Sequence, residues 1–190
     1  SCGDRGYHLA PYQEDYVRDT VKALLPANDI YITDWKDARL VKLSEGSFNL
    51  DDYVSYIQTF IRTLGNDINL VAICQPTVPV LAAVALMAAE HDVQPRTLTL
   101  MAGPVDCRIS PTAVNRYASE RDLSWFKDML IERVPPNYPG AGRMVYPGYL
   151  QHAAFIFMNP ESHIKSHCEF YENSTKGMVD MVNHHKAFYD

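Results

Sequence analysis

Apolar and polar positions follow two different spacings along the first half of the chain. In the segments 16–25 and 50–64, apolar side chains recur every three or four residues, which predicts amphipathic helices. Asn49 precedes the second helix as an N-cap, and Gly65 follows it as a stop signal. Short runs of β-branched and apolar residues predict strands at 30–33, 68–73 and 97–101, and the apolar stretch between the last two predicts a helix at about 77–90.

The predicted elements follow one another as helix, strand, helix, strand, helix, strand. This alternation is typical of α/β proteins, in which helices cover both faces of a parallel sheet. After Pro111 the pattern changes to aromatic helical segments, separated by a proline- and glycine-rich joint at 135–150. We therefore expect an α/β core portion at residues 1–115 and a helical lid or insertion segment at residues 116–190.

Composition and charge narrow the class of partner. The chain has 190 residues, is 47% hydrophobic and carries a formal net charge of −6, which argues against a nucleic acid or an anionic membrane as the main partner. Its longest apolar stretch is interrupted by Gln75 and Pro76, so we expect no membrane-spanning helix. The cysteines are widely spaced, which indicates reduced thiols in a cytoplasm rather than a disulfide scaffold; they are Cys2, Cys74, Cys107 and Cys168.

Cys74 stands between a predicted strand and a predicted helix. In an open parallel sheet, chemistry collects at the carboxyl ends of the strands, where this residue lies. Pro76 would fall in the first turn of the predicted helix, and the positive end of the helix dipole would favour the thiolate form of Cys74. The backbone N–H of Gln75 would supply half of an oxyanion hole. The alternative interpretation is an inert, buried cysteine, which is a common fate of this residue type.

The stretches "AICQPTVPVLAAVALMA" and "RTLTLMAGPVDCRISPTAVNRYA", with the segment 29–65 before them, carry a close resemblance to a known family. They resemble the intracellular poly(3-hydroxybutyrate) depolymerases, α/β-hydrolase-type enzymes that use a cysteine nucleophile. The likeness extends over residues 20–190. It implies an α/β-hydrolase-like parallel-sheet core in which Cys74 attacks the ester carbonyl of a hydroxyalkanoate polymer, forming an acyl-thioester that water then releases. We expect no cofactor, and a cytoplasmic location at the surface of polymer granules.

The same resemblance implies that the triad acid and histidine lie beyond Asp190, so that this chain is an incomplete one carrying the nucleophile half. Where the family has an "APLSGH"-like loop, this sequence has "APYQEDY" at 10–16, which leaves the second oxyanion donor open. If the chain carried its own triad, Asp106 would be its acid, and its base would be one of His152, His163, His167, His184 and His185. Alternatively, Asp106 caps a turn or pairs with Arg108.

Three further groups have both a functional and a structural interpretation. His163 and His167 have a spacing that can bind zinc, with Cys168 adjacent, but no fourth ligand follows and we predict no metal site. Asp34 and Trp35 either shape a substrate cleft or are a solvated aspartate and a packed tryptophan. The aromatic stretch 125–158 either lines a channel for a polyester chain or is ordinary packing and bare apolar surface.

Two classes of function fit the sequence. The first is an esterase of the depolymerase family, and the second is a non-catalytic protein of the same fold that binds granules or polyester. Apolar surface that missing strands would otherwise cover also predicts self-association of the chain.

Overall fold

The computed structural model describes residues 20–158, together with residues 160, 161, 164, 165, 168, 171 and 172. Residues 20–24 are helical, and short 3-10 turns follow at Leu25–Ala27, Ala38–Leu40 and Leu43–Glu45. The longer elements are α1 (Leu50–Leu64), β1 (Asn69–Ile73), α2 (Thr77–Ala89), β2 (Thr97–Met101), α3 (Ala113–Ser119), α4 (Leu123–Leu130), β3 (Glu132–Arg133), β4 (Met144–Val145) and α5 (Gly148–Met158).

Helix α1 begins and ends at the residues that the sequence predicts. The side chain of Asn49 accepts hydrogen bonds from the backbone of Asp51 and Asp52, and the Asp52 side chain accepts one from the backbone of Asn49. This reciprocal capping box satisfies N–H groups that the first turn leaves without an intrahelical partner. At the other end Gly65 has a φ of 87°, a conformation that glycine adopts without steric cost.

Strands β1 and β2 pair in parallel, with Asn69 opposite Thr97 and Ile73 opposite Met101. Parallel neighbours need a crossover connection, which α2 provides between them. The predicted strands at 68–73 and 97–101 and the predicted helix at about 77–90 are therefore confirmed. Together they give the described chain a mixed helix and strand fold built on a small parallel sheet.

The core lies between the helices and one face of this sheet. Its most deeply buried apolar side chains are Ile61 on α1 and Ala83 and Met87 on α2. The sheet residues that pack against them occupy alternate positions along the strands. On β1 these are the partly buried Leu70 and the buried Ala72, and on β2 they are the partly buried Leu98 and Leu100. On the opposite face Val71 is 50% exposed and Met101 39% exposed. Within residues 20–158 the helices thus cover one face, not the two that were expected.

The predicted strand at 30–33 is wrong. The structure places no strand there, and Tyr31 and Ile32 are 71% and 59% exposed. β-branched and aromatic residues favour a strand only when a neighbouring strand pairs with their backbone and one of their faces is buried. The described chain supplies neither condition at this position.

The segment after β2 is mainly helical, as predicted, but it also contains the antiparallel pair β3 and β4. The turn between these strands is attached to the segment 38–46. The backbone N–H of Gly140 donates to the carbonyl of Arg39 at 2.8 Å, and Arg143 donates to three backbone carbonyls, those of Val41, Lys42 and Gly46. Helix α3 runs across residue 115, and the division of the chain at that point remains a prediction.

Candidate active site at the end of strand β1

Cys74 directly follows β1 and precedes α2, so it lies at the carboxyl end of the parallel sheet. It is half-buried, and its backbone φ is 66°. A left-handed conformation is uncommon for a residue other than glycine, and such conformations cluster at functional sites, where the surrounding structure holds them. The strand-to-helix turn that the sequence predicts is therefore present, and Cys74 is its backbone outlier.

Backbone hydrogen bonds hold this turn on both sides of Cys74. The N–H of Cys74 donates to the carbonyl of Met101, the last residue of β2, at 2.7 Å. The carbonyl of Cys74 accepts from the N–H of Thr77, the first residue of α2, at 3.1 Å. The turn is therefore attached to both the neighbouring strand and the helix that follows.

The start of α2 leaves a donor beside the thiol. Pro76 has a φ of −56° and precedes the first helical residue, a position where its missing N–H costs no helical hydrogen bond. Gln75 is exposed, and its backbone N–H donates no hydrogen bond to the described residues. An N–H at this position, next to the candidate nucleophile, is the kind of donor that stabilises an oxyanion.

A close contact joins the start of α2 to the loop after β2. Thr77 is fully buried, and its hydroxyl has no hydrogen-bond partner in the described structure. A Cβ added to Gly103 would lie 1.7 Å from Thr77 Oγ1 and 2.4 Å from both its Cβ and its Cγ2. Ala102, just before this glycine, has a φ of 51°. The turn at Cys74 and the loop after β2 thus approach closely enough to exclude a side chain at residue 103.

Asp106, the acid of the alternative triad, is engaged by Arg108. Its carboxylate accepts from Arg108 Nε at 2.8 Å, from Nη2 at 2.7 Å and from the Arg108 backbone N–H at 3.0 Å. The hydrogen bonds from the Arg108 side chain and backbone lower the pKa of Asp106 below its usual value. This is the turn-and-ion-pair arrangement named as the structural alternative for Asp106.

The histidines proposed as the alternative base fall outside what the structure describes. His163, His167, His184 and His185 are not among the described residues, and of His152 only the backbone is described, as part of α5. Cys168, next to the candidate zinc ligands, is exposed. Across the described residues, no three His, Cys, Asp or Glu side chains gather as a metal site would require.

Trp35 packs within an aromatic cluster, while Asp34 is exposed. The centroid of the Trp35 ring lies 4.7 Å from that of Tyr53 and 6.0 Å from that of Phe60, in edge-to-face arrangements. Phe48 and Tyr56 complete the cluster. Edge-to-face pairs at these distances stabilise a fold beyond their buried area. Of the alternatives given for these two residues, the structure therefore shows a packed tryptophan and a solvent-exposed aspartate.

The aromatic residues at the start of the predicted lid also contact one another. The rings of Tyr117 and Trp125 lie 5.6 Å apart, and those of Trp125 and Phe126 lie 5.2 Å apart. The guanidinium of Arg121 lies 3.6 Å from the centre of the Tyr117 ring, a cation–π distance. The contact of Tyr117 with Trp125 joins α3 to α4.

Sequence reasoning missed the contact between Thr77 and Gly103 and the attachment of Arg143 to the segment 41–46. Gly103 does carry a signal, because a glycine two residues after a strand that ends beside a nucleophile turn marks a close backbone approach. No local spacing marks Arg143, because its carbonyl partner at Val41 is 102 residues away.

Comparison with known proteins adds one match. Residues 102–190 match the family model described as PHB de-polymerase C-terminus. The matched segment of the chain begins directly after β2. This match supports a relationship of the chain to the PHB depolymerase family. It suggests a hydrolase with a role in the degradation of PHB, poly(3-hydroxybutyrate). No curated protein and no solved structure matches the chain. None of the described helices combines the length and the apolar character needed to cross a membrane.

Proposed function

We propose that the protein hydrolyses ester bonds of poly(3-hydroxybutyrate) or a related polyhydroxyalkanoate, with Cys74 as the nucleophile. The observation that carries the proposal is the left-handed backbone of Cys74 at the carboxyl end of β1. The match of residues 102–190 supports the polymer as the substrate class. In an α/β-hydrolase-like arrangement the nucleophile occupies such a strand-to-helix turn, where its side chain projects above the sheet.

The chemistry would proceed in two acyl-transfer steps. Cys74 Sγ, having given its proton to a base, attacks the carbonyl carbon of an ester, and the negative charge moves to the carbonyl oxygen. The backbone N–H of Gln75 donates to that oxygen and stabilises the charge. The carbon–oxygen ester bond then breaks, the alcohol end of the polymer leaves with a proton, and a thioester to Cys74 remains.

Water completes the reaction. A water molecule that loses a proton to the same base attacks the thioester carbonyl, the carbon–sulfur bond breaks and the thiolate takes up a proton. The released part of the polymer carries a new carboxylic acid end. The reaction would occur at the surface of polymer granules in the cytoplasm, and the helical segment after residue 115 would be the lid over the polymer chain.

Acylation of Cys74 tests this proposal directly. The chain is mixed at neutral pH with an activated aryl ester of 3-hydroxybutyrate, and the adduct is located by mass spectrometry of peptides. We expect a hydroxybutyryl adduct on Cys74 of the wild-type chain, and none on residue 74 of the Cys74→Ala variant. The Cys107→Ala variant is the matched control, because Cys107 is an exposed thiol and should be dispensable.

Two outcomes would overturn the proposal. Equal adduct formation on Cys74 and Cys107 would mean that Cys74 has no special reactivity. A Cys74 that stays unmodified while Cys107 reacts would mark an inert buried thiol, and would favour a protein that binds polyester without cleaving it.

A further inference from the structure

We propose that Thr77 and Gly103 form a positioning pair that holds Cys74 in its left-handed conformation. The inference rests on the proposed function, since the positioning matters only if Cys74 is the nucleophile. We assign neither residue a contact with the reacting atoms. They act through the backbone of the turn.

The left-handed φ of 66° at Cys74 needs support from its surroundings. A residue with a Cβ is disfavoured in this region, so the turn would relax towards an ordinary conformation if it were free to do so. On the N-terminal side, the hydrogen bond from Cys74 N–H to Met101 O restrains it. On the C-terminal side, the restraint is the hydrogen bond from the N–H of Thr77 to the carbonyl of Cys74.

Thr77 can restrain Cys74 only if Thr77 itself is fixed. It has no accessible surface, and its side chain lies against the backbone of Gly103. The hydroxyl contributes no hydrogen bond to the described structure. Shape complementarity against Gly103 therefore fixes Thr77, rather than a polar contact.

The contact leaves no room for adjustment by side-chain rotation. Rotation about χ1 moves Oγ1 and Cγ2 of Thr77, but its Cβ would still lie 2.4 Å from a Cβ at residue 103. Real Cβ atoms essentially never approach other atoms closer than 3.0 Å, so the backbone of Thr77 or of Gly103 must move. Because the N–H of Thr77 is bonded to the carbonyl of Cys74, that movement passes directly to the candidate nucleophile.

The two sides of the turn form a closed ring of contacts. The ring runs from Cys74 to Met101, through Ala102 with its φ of 51°, to Gly103 and Thr77, and back to Cys74. The second positive φ aims the chain so that Gly103 lies on Thr77. The end of β2 is thereby part of the device that orients the nucleophile.

The rate of alkylation of Cys74 by iodoacetamide, relative to that of Cys107 in the same molecule, measures the position of the thiol without any polyester substrate. We expect Gly103→Ala to lower this ratio about two- to fivefold, because a displaced thiol loses the stabilisation of its thiolate by the positive N-terminal end of α2. Thr77→Gly should lower it as well, since the other half of the contact is lost. The double variant should recover much of the ratio, because the new Cβ fills the space that Thr77 vacates.

Gly65→Ala is the matched control. Gly65 has a φ of 87° with nothing within 4 Å of an added Cβ, so alanine costs backbone strain at the end of α1 without touching the turn. Its thermal stability should fall while the alkylation ratio stays at the wild-type value. If Gly103→Ala does not fold, the comparison of Thr77→Gly with the double variant carries the test.

An unchanged ratio in a folded Gly103→Ala variant would overturn the positioning pair. A decrease that Gly65→Ala reproduces, or a double variant no better than Thr77→Gly alone, would do the same. If the ratios behave as expected and the activated hydroxybutyrate ester still fails to acylate Cys74, the proposed function is wrong and the pair stands.

Discussion

The backbone N–H of Cys74 donates a 2.7 Å hydrogen bond to the carbonyl of Met101, and so the candidate nucleophile is bound to the last residue of the neighbouring strand. The two residues are far apart in sequence, and only parallel pairing of β1 with β2 brings their backbones together. A thiol on a turn held in this way keeps its position relative to the sheet and to the start of α2.

Substitution of Cys74 by glycine should stabilise the fold relative to substitution by alanine. Glycine adopts a φ of 66° without the steric cost that alanine has there. We therefore expect Cys74→Gly to unfold at a higher urea concentration than Cys74→Ala, with a free energy of unfolding about 1 kcal/mol larger. Urea unfolding of both variants measures the difference. Ala83→Gly, in the middle of α2, should instead be destabilised, and a Cys74→Gly variant less stable than Cys74→Ala would contradict the strained backbone.

Removal of the Thr77 hydroxyl should increase stability. The buried Oγ1 has no hydrogen-bond partner in the described structure, so folding costs its desolvation without return. We expect Thr77→Val, which keeps the shape of the side chain, to raise the free energy of unfolding by about 1 kcal/mol. Thr77→Ser retains the hydroxyl and loses a methyl group, and it should be less stable than the wild type. A destabilised Thr77→Val would reveal a partner for this hydroxyl.

The ion pair between Arg62 on α1 and Asp92 after α2 makes stability depend on acid. Arg62 Nε and Nη2 both lie 2.7 Å from Asp92 Oδ2, and this hydrogen bonding lowers the pKa of Asp92 below its usual 3.8. A lowered folded pKa gives stability that is present above the unfolded value and is lost as pH falls through the folded value.

The melting temperature, followed as pH falls below 3.8, tests this dependence. Asp92→Asn should flatten the part of the acid slope that comes from this pair. Asp67→Asn, at the more exposed pair with Arg96, removes the same charge from another surface ion pair and is the matched control. Equal slopes for the wild type and Asp92→Asn would exclude the pair as the cause.

Loss of the Arg143 side chain should detach the turn of the β3–β4 hairpin from the segment 38–46. Arg143→Ala leaves three backbone carbonyls without their donor, and we expect it to cost about 1–3 kcal/mol. Hydrogen exchange should rise in both segments together. Arg143→Lys should recover only part of the loss, because one ammonium group cannot reproduce the fork of a guanidinium. Exchange that rises in the hairpin alone would contradict the attachment.

The sheet face that no helix covers within residues 20–158 should promote association of the chain with a second copy of itself. Val71 and Met101 project from this face and are 50% and 39% exposed. Apolar surface of this kind is covered when two molecules associate. We expect sedimentation to show mass increasing with concentration, and Val71→Thr with Met101→Thr to weaken the effect. Leu123→Thr, an exposed position on α4, should not. A single species of constant mass would rule out this association.

Where the determining contacts are local, the sequence was sufficient to predict the structure. Asn49 and Gly65 mark the two ends of α1, as predicted, because capping depends on residues within one turn of the helix. The strands at 68–73 and 97–101 were also predictable, because apolar side chains at those positions favour extended, buried backbone. The sequence also placed Cys74 at a strand-to-helix turn. It further offered the pairing of Asp106 with Arg108, which are two residues apart.

Tertiary structure decided every feature that depends on a partner distant in sequence. The residues at 30–33 have strand-forming side chains but no neighbouring strand among the described residues, and a local pattern does not record whether a pairing strand is present. The φ of Cys74, the fit of Thr77 against Gly103 and the donation from Arg143 to Val41 arise when the folded chain brings separate segments together. Local spacing carries no record of such contacts, because they are set by the packing of whole elements.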